Sequence, residues 1–74
     1  MTETRLVDVR GLLCPWPGIR LSRVGREMGL KGRVRILADD PVAAADIEEI
    51  CRERGWRLAP VEAEAGMVFD VEFA

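Results

Sequence analysis

The chain has 74 residues, 49% of them hydrophobic and 32% charged, and its 11 basic and 13 acidic side chains leave a net charge of −2. That length suits one domain with an economical core, here taken as residues 1–74. The slight acidic balance argues against a general nucleic-acid binder. The lack of a long apolar run argues against a transmembrane helix and membrane attachment. The polar start Met1-Thr2-Glu3-Thr4-Arg5 is unlike a signal peptide, so the expected location is cytoplasmic.

In chain order, the first expected strand is Arg5 to Arg10, with Val7 and Val9 on one face. Gly11-Leu12-Leu13 leads into a helix from Pro15 to Met28, in which Pro17, Leu21, Val24 and Met28 share one face. Arg20, Arg23, Arg26 and Glu27 take the other side. Gly18 and Gly25 weaken this helix by about 1 kcal/mol each relative to alanine, so packing must hold it. Gly29 and Gly32 are stop signals. Arg33 to Ala38 alternates as a second strand. Asp40 then reads as an N-cap and Pro41 as the first residue of a helix that runs to Arg54 and closes at Gly55. Its inner stripe is Ala43, Ile47, Ile50 and Arg54, with Cys51 alongside. Trp56 is expected in the core, opening a strand to Glu62 whose Pro60 requires an edge or a bulge. Glu64-Ala65-Gly66 is expected to turn the chain, and Met67, Phe69, Val71 and Phe73 alternate as a last strand. The order βαβαββ predicts an α/β (α+β) two-layer sandwich, with both helices on one face of a four-stranded mixed sheet.

The chemistry concentrates in Cys14-Pro15-Trp16-Pro17. Prolines are tolerated in the first turn of a helix, so Cys14 falls at or just before a helix start. Unpaired N–H groups and the macrodipole there favour a thiolate, and can lower a thiol pKa from about 8.5 to roughly 3.5–7.5. Pro15 and Pro17 shape the terminus but delete two donors, leaving Trp16 and Gly18 to supply them. Zero histidines exclude a Cys-His pair, and Cys14 and Cys51 alone are too few for a tetrahedral zinc site. Cys51 reads as a core thiol, with a resolving role as the alternative. Asp39, Asp40 and Asp46 could suggest a metal cluster, but helix capping explains Asp40 more simply. No metal or organic cofactor is expected. Arg20 and Arg23 form a basic strip that is either a solvated face or a docking surface. Trp16 is either a partner anchor or a cover for the sheet edge.

Over nearly its whole length the chain resembles the TusA/SirA family of small sulfur-carrier proteins. Asp8, Gly11-Leu12 and Cys14-Pro15-Trp16-Pro17 match the family's Cys-Pro-x-Pro signature and its lead-in, while Asp39-Asp40-Pro41 and Asp46-Ile47 match its second block. Many relatives carry an acidic or aliphatic residue at the position of Trp16 and an aliphatic one at Gly18. The resemblance implies the βαβαββ fold and a sulfurtransferase relay rather than a self-sufficient enzyme. Cys14 would carry sulfane sulfur as a persulfide, taken from a cysteine desulfurase or rhodanese-like donor. The acceptor would be a protein of tRNA thiolation, molybdenum-cofactor maturation or sulfur metabolism. Trp16, Arg20 and Arg23 would meet these partners, and the carrier would be a monomer. The alternatives are a cysteine-based redox-regulatory or interaction module without sulfur transfer and, disfavoured by charge, an RNA-binding domain.

Overall fold

The structure, a computed structural model, describes residues 4–63 and 66–73. Its elements are β1 (Thr4–Asp8), α1 (Trp16–Glu27), β2 (Arg33–Ala38), α2 (Pro41–Arg54), β3 (Arg57–Val61) and β4 (Met67–Glu72). The sheet order is β1-β2-β4-β3. β1 and β2 are parallel, as a helical crossover requires, and β4 runs antiparallel to both β2 and β3. The predicted βαβαββ sandwich and its mixed four-stranded sheet are therefore present. β3 is an edge strand, which accommodates Pro60. Of the expected turn, Glu64 and Ala65 lie outside the described residues, and Gly66 adopts φ 74°.

Alternation places Val7, Val34, Ile36, Ala38 and Val71 on one buried face of the sheet. Leu21 from α1 and Ala43, Ile47 and Cys51 from α2 pack on that face. Full burial of a side chain such as Leu21 stabilises by about 1.5–3 kcal/mol. Val24, Met28 and Ile50 are only partly buried against this core. The space expected for larger residues is taken by close approach at glycine: a Cβ on Gly25 would lie 3.0 Å from the Phe73 ring. Phe73 in turn meets Trp56 edge-on, with ring centroids 4.8 Å apart, so Trp56 packs against the core as expected. Arg54 is not part of the inner stripe; its guanidinium lies over the Trp56 ring at 5.8 Å.

The strand and helix boundaries differ from the sequence pattern where pairing or capping decides them. β1 ends at Asp8 rather than Arg10, because Asp8 receives hydrogen bonds from the Arg10 backbone N–H (3.0 Å) and guanidinium (2.9 Å), closing a turn. α1 starts one residue late, at Trp16, and ends at Glu27. α2 starts at Pro41 with Asp40 as N-cap and ends at Gly55 with φ 73°, all as predicted. On the uncovered face of the sheet, Arg35 pairs with Asp70 at 2.9 Å and Arg33 with Glu72 at 3.1 Å across β2 and β4.

Candidate functional site around Cys14

Cys14 sits at the end of the β1–α1 loop, at the same edge of the sheet as the β2–α2 connection. The loop is held from below: Val9 donates to the carbonyl of Leu37 at 2.9 Å, and the Gly11 N–H donates to Asp39 Oδ1 at 3.2 Å. Cys14 is exposed, and the Cys14–Pro15 bond is cis. Leu13 (72% exposed), Trp16 (59%) and Ile19 (47%) are exposed apolar side chains close to it in sequence, on the loop and the first turn of α1. Cys51 is the opposite case, 2% exposed within the core, and both cysteines are free thiols.

The first turn of α1 differs from the sequence expectation in one decisive respect. Its N-cap, Pro15, has no side-chain cap, and Pro17 has no N–H to offer. The Trp16 N–H donates to the Leu13 carbonyl at 2.8 Å, and the Ile19 N–H to the Pro15 carbonyl at 3.2 Å. The Gly18 N–H donates to Asp46 Oδ2 of α2 at 2.7 Å. Trp16 and Gly18, the two donors expected to hold a thiolate, are therefore already committed. The Cys14 thiol itself donates to Asp46 Oδ1, with Sγ 3.7 Å away. Partial desolvation and the carboxylate charges of Asp46 and Glu49 hold its pKa above the ordinary thiol value. The expected lowering by the helix terminus is thus reversed in the free protein: the thiol is partly desolvated, and two negative charges stand where the macrodipole was expected to dominate.

Asp46 is the residue whose role the sequence reading missed. The signal available was indirect: a helix start with two prolines and no Ser, Thr, Asp or Asn at the cap needs a partner from elsewhere. Close approach of Asp46 is permitted by the absence of a side chain on Gly18, where a Cβ would lie 3.0 Å from Oδ2. The three aspartates do not converge. Asp39 holds the Gly11 loop, Asp40 accepts from the Val42 N–H at 2.9 Å, and Asp46 holds α1. Among the described residues no group of three His, Cys, Asp or Glu is placed to hold a metal ion.

Two shallow grooves flank α1. One, between the helices, is lined by Pro15, Gly18, Arg26, Asp46, Glu49 and Glu53. The other carries Leu12, Trp16, Ile19, Arg20, Arg23 and Glu27, so Trp16 and both arginines of the sequence reading do share one surface next to Cys14. Arg23 also approaches Glu27 at 3.8 Å, one turn on.

Residues 5–71 match the family described as Sulfurtransferase TusA. The chain belongs to the TusA family. Relatives within the family include the "Sulfur carrier protein TusA" of Pseudomonas putida (strain W619), 32% identical over 65 residues that cover 88% of this chain and 81% of that one. Another is the protein of the same name from Pseudomonas entomophila (strain L48), 35% identical over 60 residues covering 81% and 75%. The crystal structure of a SirA-like protein from Desulfitobacterium hafniense shares the fold, with a TM-score of 0.79 over 95% of this chain and 96% of that one at 22% identity. Among the described residues no helix is long and apolar enough to cross a membrane.

Proposed function

We propose that this chain is a sulfur carrier that holds sulfane sulfur as a persulfide on Cys14. The observation that carries this is the placement of an exposed free thiol at a rigid helix start, within a chain of the TusA family, while the only other thiol is buried. In the first exchange Cys14 Sγ attacks the outer sulfur of a donor persulfide. A new S–S bond forms at Cys14, the donor's S–S bond breaks, and the donor leaves as a thiol with the proton Cys14 has given up. The second exchange repeats this with an acceptor thiolate attacking the sulfur on Cys14. Sulfur is transferred without any external oxidant or reductant. Pro15 and Pro17 hold the terminus in shape.

The donor is a cysteine desulfurase or a rhodanese-like protein, and the acceptor belongs to tRNA thiolation, molybdenum-cofactor maturation or sulfur metabolism. Docking uses Trp16, Arg20 and Arg23: the exposed indole supplies an anchor, and the arginines steer an acidic surface toward the thiol. Residues 1–74 act as one monomeric carrier domain without a cofactor, in the reducing cytoplasm that keeps Cys14 free. An oxidant sensor is the less favoured reading, because residues 5–71 match the family described as Sulfurtransferase TusA.

The test is intact-protein mass spectrometry after incubation with a cysteine desulfurase and free cysteine. Wild type is expected to gain one sulfur atom that reductant removes, Cys14→Ser to gain none, and Cys51→Ser to gain as wild type does. Loading that survives Cys14→Ser and disappears in Cys51→Ser would sink the assignment.

A further inference from the structure

The carboxylate of Asp46 bridges the helix start and the thiol. Oδ2 accepts from the Gly18 N–H at 2.7 Å, and Oδ1 faces Cys14 Sγ at 3.7 Å. No other side chain hydrogen-bonds the Cys14 thiol among the described residues. We propose that Asp46 is a positioning residue that latches the unloaded Cys14 as a thiol onto the first turn of α1, and that a docking donor protein releases the thiol by displacing this contact.

The surrounding charges point the same way. The groups acting on Cys14 are the carboxylates Asp46 and Glu49 of α2. Of the cations around the site, Arg10 pairs with Asp8 at the end of β1, whose carboxyl it holds down at about 2, while Arg26 and Arg54 line the groove that Asp46 and Glu49 share. On α1 the N–H groups that would offset the two carboxylates are bound to the Leu13 carbonyl, to Asp46 and to the Pro15 carbonyl. The thiol can donate to Asp46, whereas a thiolate can only repel it. The latch therefore suppresses reaction with small electrophiles and oxidants while the carrier is empty. A docked partner that brings a cation to Asp46, or draws the carboxylate away, restores the thiolate at the moment of transfer. Gly18 is part of the device, because a side chain there would press on Oδ2 from 3.0 Å.

Asp46→Asn separates charge from capping, since its side-chain oxygen can still accept from the Gly18 N–H. The pH profile of Cys14 alkylation by iodoacetamide, read by intact mass, is expected to move to lower pH in this variant. Each unit of displacement raises the thiolate fraction at pH 7 about tenfold. The falling intrinsic nucleophilicity of a more acidic thiol reduces that to a gain of about threefold in rate. Glu49→Gln should move the profile in the same direction by less. An unmoved profile with the fold intact by circular dichroism would overturn the proposal. So would a profile moved to higher pH, which would make Asp46 the base that removes the proton. If Asp46→Asn does not fold, Gly18→Ala, which crowds the carboxylate, is read by the same profile against the same criterion.

The partner half of the proposal rests on the sulfur-carrier reading and has its own readout. Loading by a cysteine desulfurase should gain less from Asp46→Asn than alkylation does, because the docked donor displaces the carboxylate in wild type as well. Equal gains in both reactions would remove the partner from the proposal. Absence of loading in wild type would instead strike the carrier reading and leave the alkylation result standing on its own.

Discussion

The two helices begin with similar sequences and opposite solutions. Each has a proline in its first turn, Pro17 in α1 and Pro41 in α2. α2 caps itself: Asp40 is extended (φ −133°, ψ 129°), its side chain accepts from the Val42 N–H, and its carbonyl accepts from the Ala44 N–H at 3.1 Å. All of this is decided within five consecutive residues. α1 has no such residue and borrows its cap from Asp46, 28 positions away. A self-capped start can form as the helix forms, whereas a borrowed cap exists only once α1 and α2 have packed. The environment of Cys14 is therefore a property of helix–helix packing and not of the Cys-Pro-Trp-Pro stretch alone. The cysteines repeat the contrast. Cys14, at the borrowed start, is exposed with its thiol raised by desolvation and neighbouring carboxylates, while Cys51, near the end of the self-capped helix, is pushed from 9.0 to about 11 by burial alone.

The largest effect that follows is in thiol reactivity. Under native conditions at pH 8 an alkylating reagent should label Cys14 alone, and Cys51 only after denaturation. With a pKa of about 11, Cys51 is ionised to only about 0.1% at that pH, before burial restricts access further. The fold favours the neutral Cys51 thiol, so its contribution to stability is complete below pH 9, the unfolded value, and is lost as pH rises toward 11. Urea midpoints should accordingly fall between pH 9 and 11 in wild type and lose that slope in Cys51→Ala. Native labelling of both thiols at similar rates would erase the contrast between the two helices.

The two starts also differ in how much of them was legible in the sequence. β2 and α2 were read to the residue, because alternation, an Asp cap, a Pro at the first helical position and a Gly at the end are local signals. The same local reading placed Cys14 at a helix start but assigned it the wrong electrostatics. What reverses the sign is partial desolvation of the thiol together with a pair of carboxylates, Asp46 and Glu49, all brought about by tertiary packing. Gly18 and Gly25 show the same limit. Each reads as a weak point in a helix, and only the packed structure reveals that one makes room for Asp46 and the other for Phe73.

A substitution that crowds the borrowed cap should cost more than the introduction of the same side chain at an exposed position of the self-capped helix. Gly18→Val introduces a branched side chain whose Cβ would lie 3.0 Å from Asp46 Oδ2, in a buried position. Overpacking of this kind costs about 1–3 kcal/mol, and loss of the Asp46 hydrogen bond places the expected value toward the upper end. Ala45→Val, at an exposed position of α2, should stay within about 0.5 kcal/mol. Thermal unfolding of both variants checks this. Equal losses would mean that Asp46 swings aside freely and that α1 does not depend on it.

The smallest effects compare the caps directly. Asp40→Ala removes an ordinary local cap, which costs about 1 kcal/mol. Asp46→Ala removes a charged acceptor from a buried N–H at 2.7 Å, and such bonds contribute about 1.5–3 kcal/mol. Asp46 is half-buried, so water can reach the freed N–H in part, and the lower end of that range is expected. Denaturant midpoints should thus rank Asp46→Ala below Asp40→Ala. The reactivity of Cys14 should separate the two variants more clearly than stability does. Asp40 makes its hydrogen bond within its own helix and does not act on the thiol, so its removal should leave Cys14 alkylation unchanged while removal of Asp46 raises it. If Asp40→Ala altered Cys14 as much as Asp46→Ala, the position of α2 as a whole, and not the single carboxylate at its second turn, would be what governs the thiol.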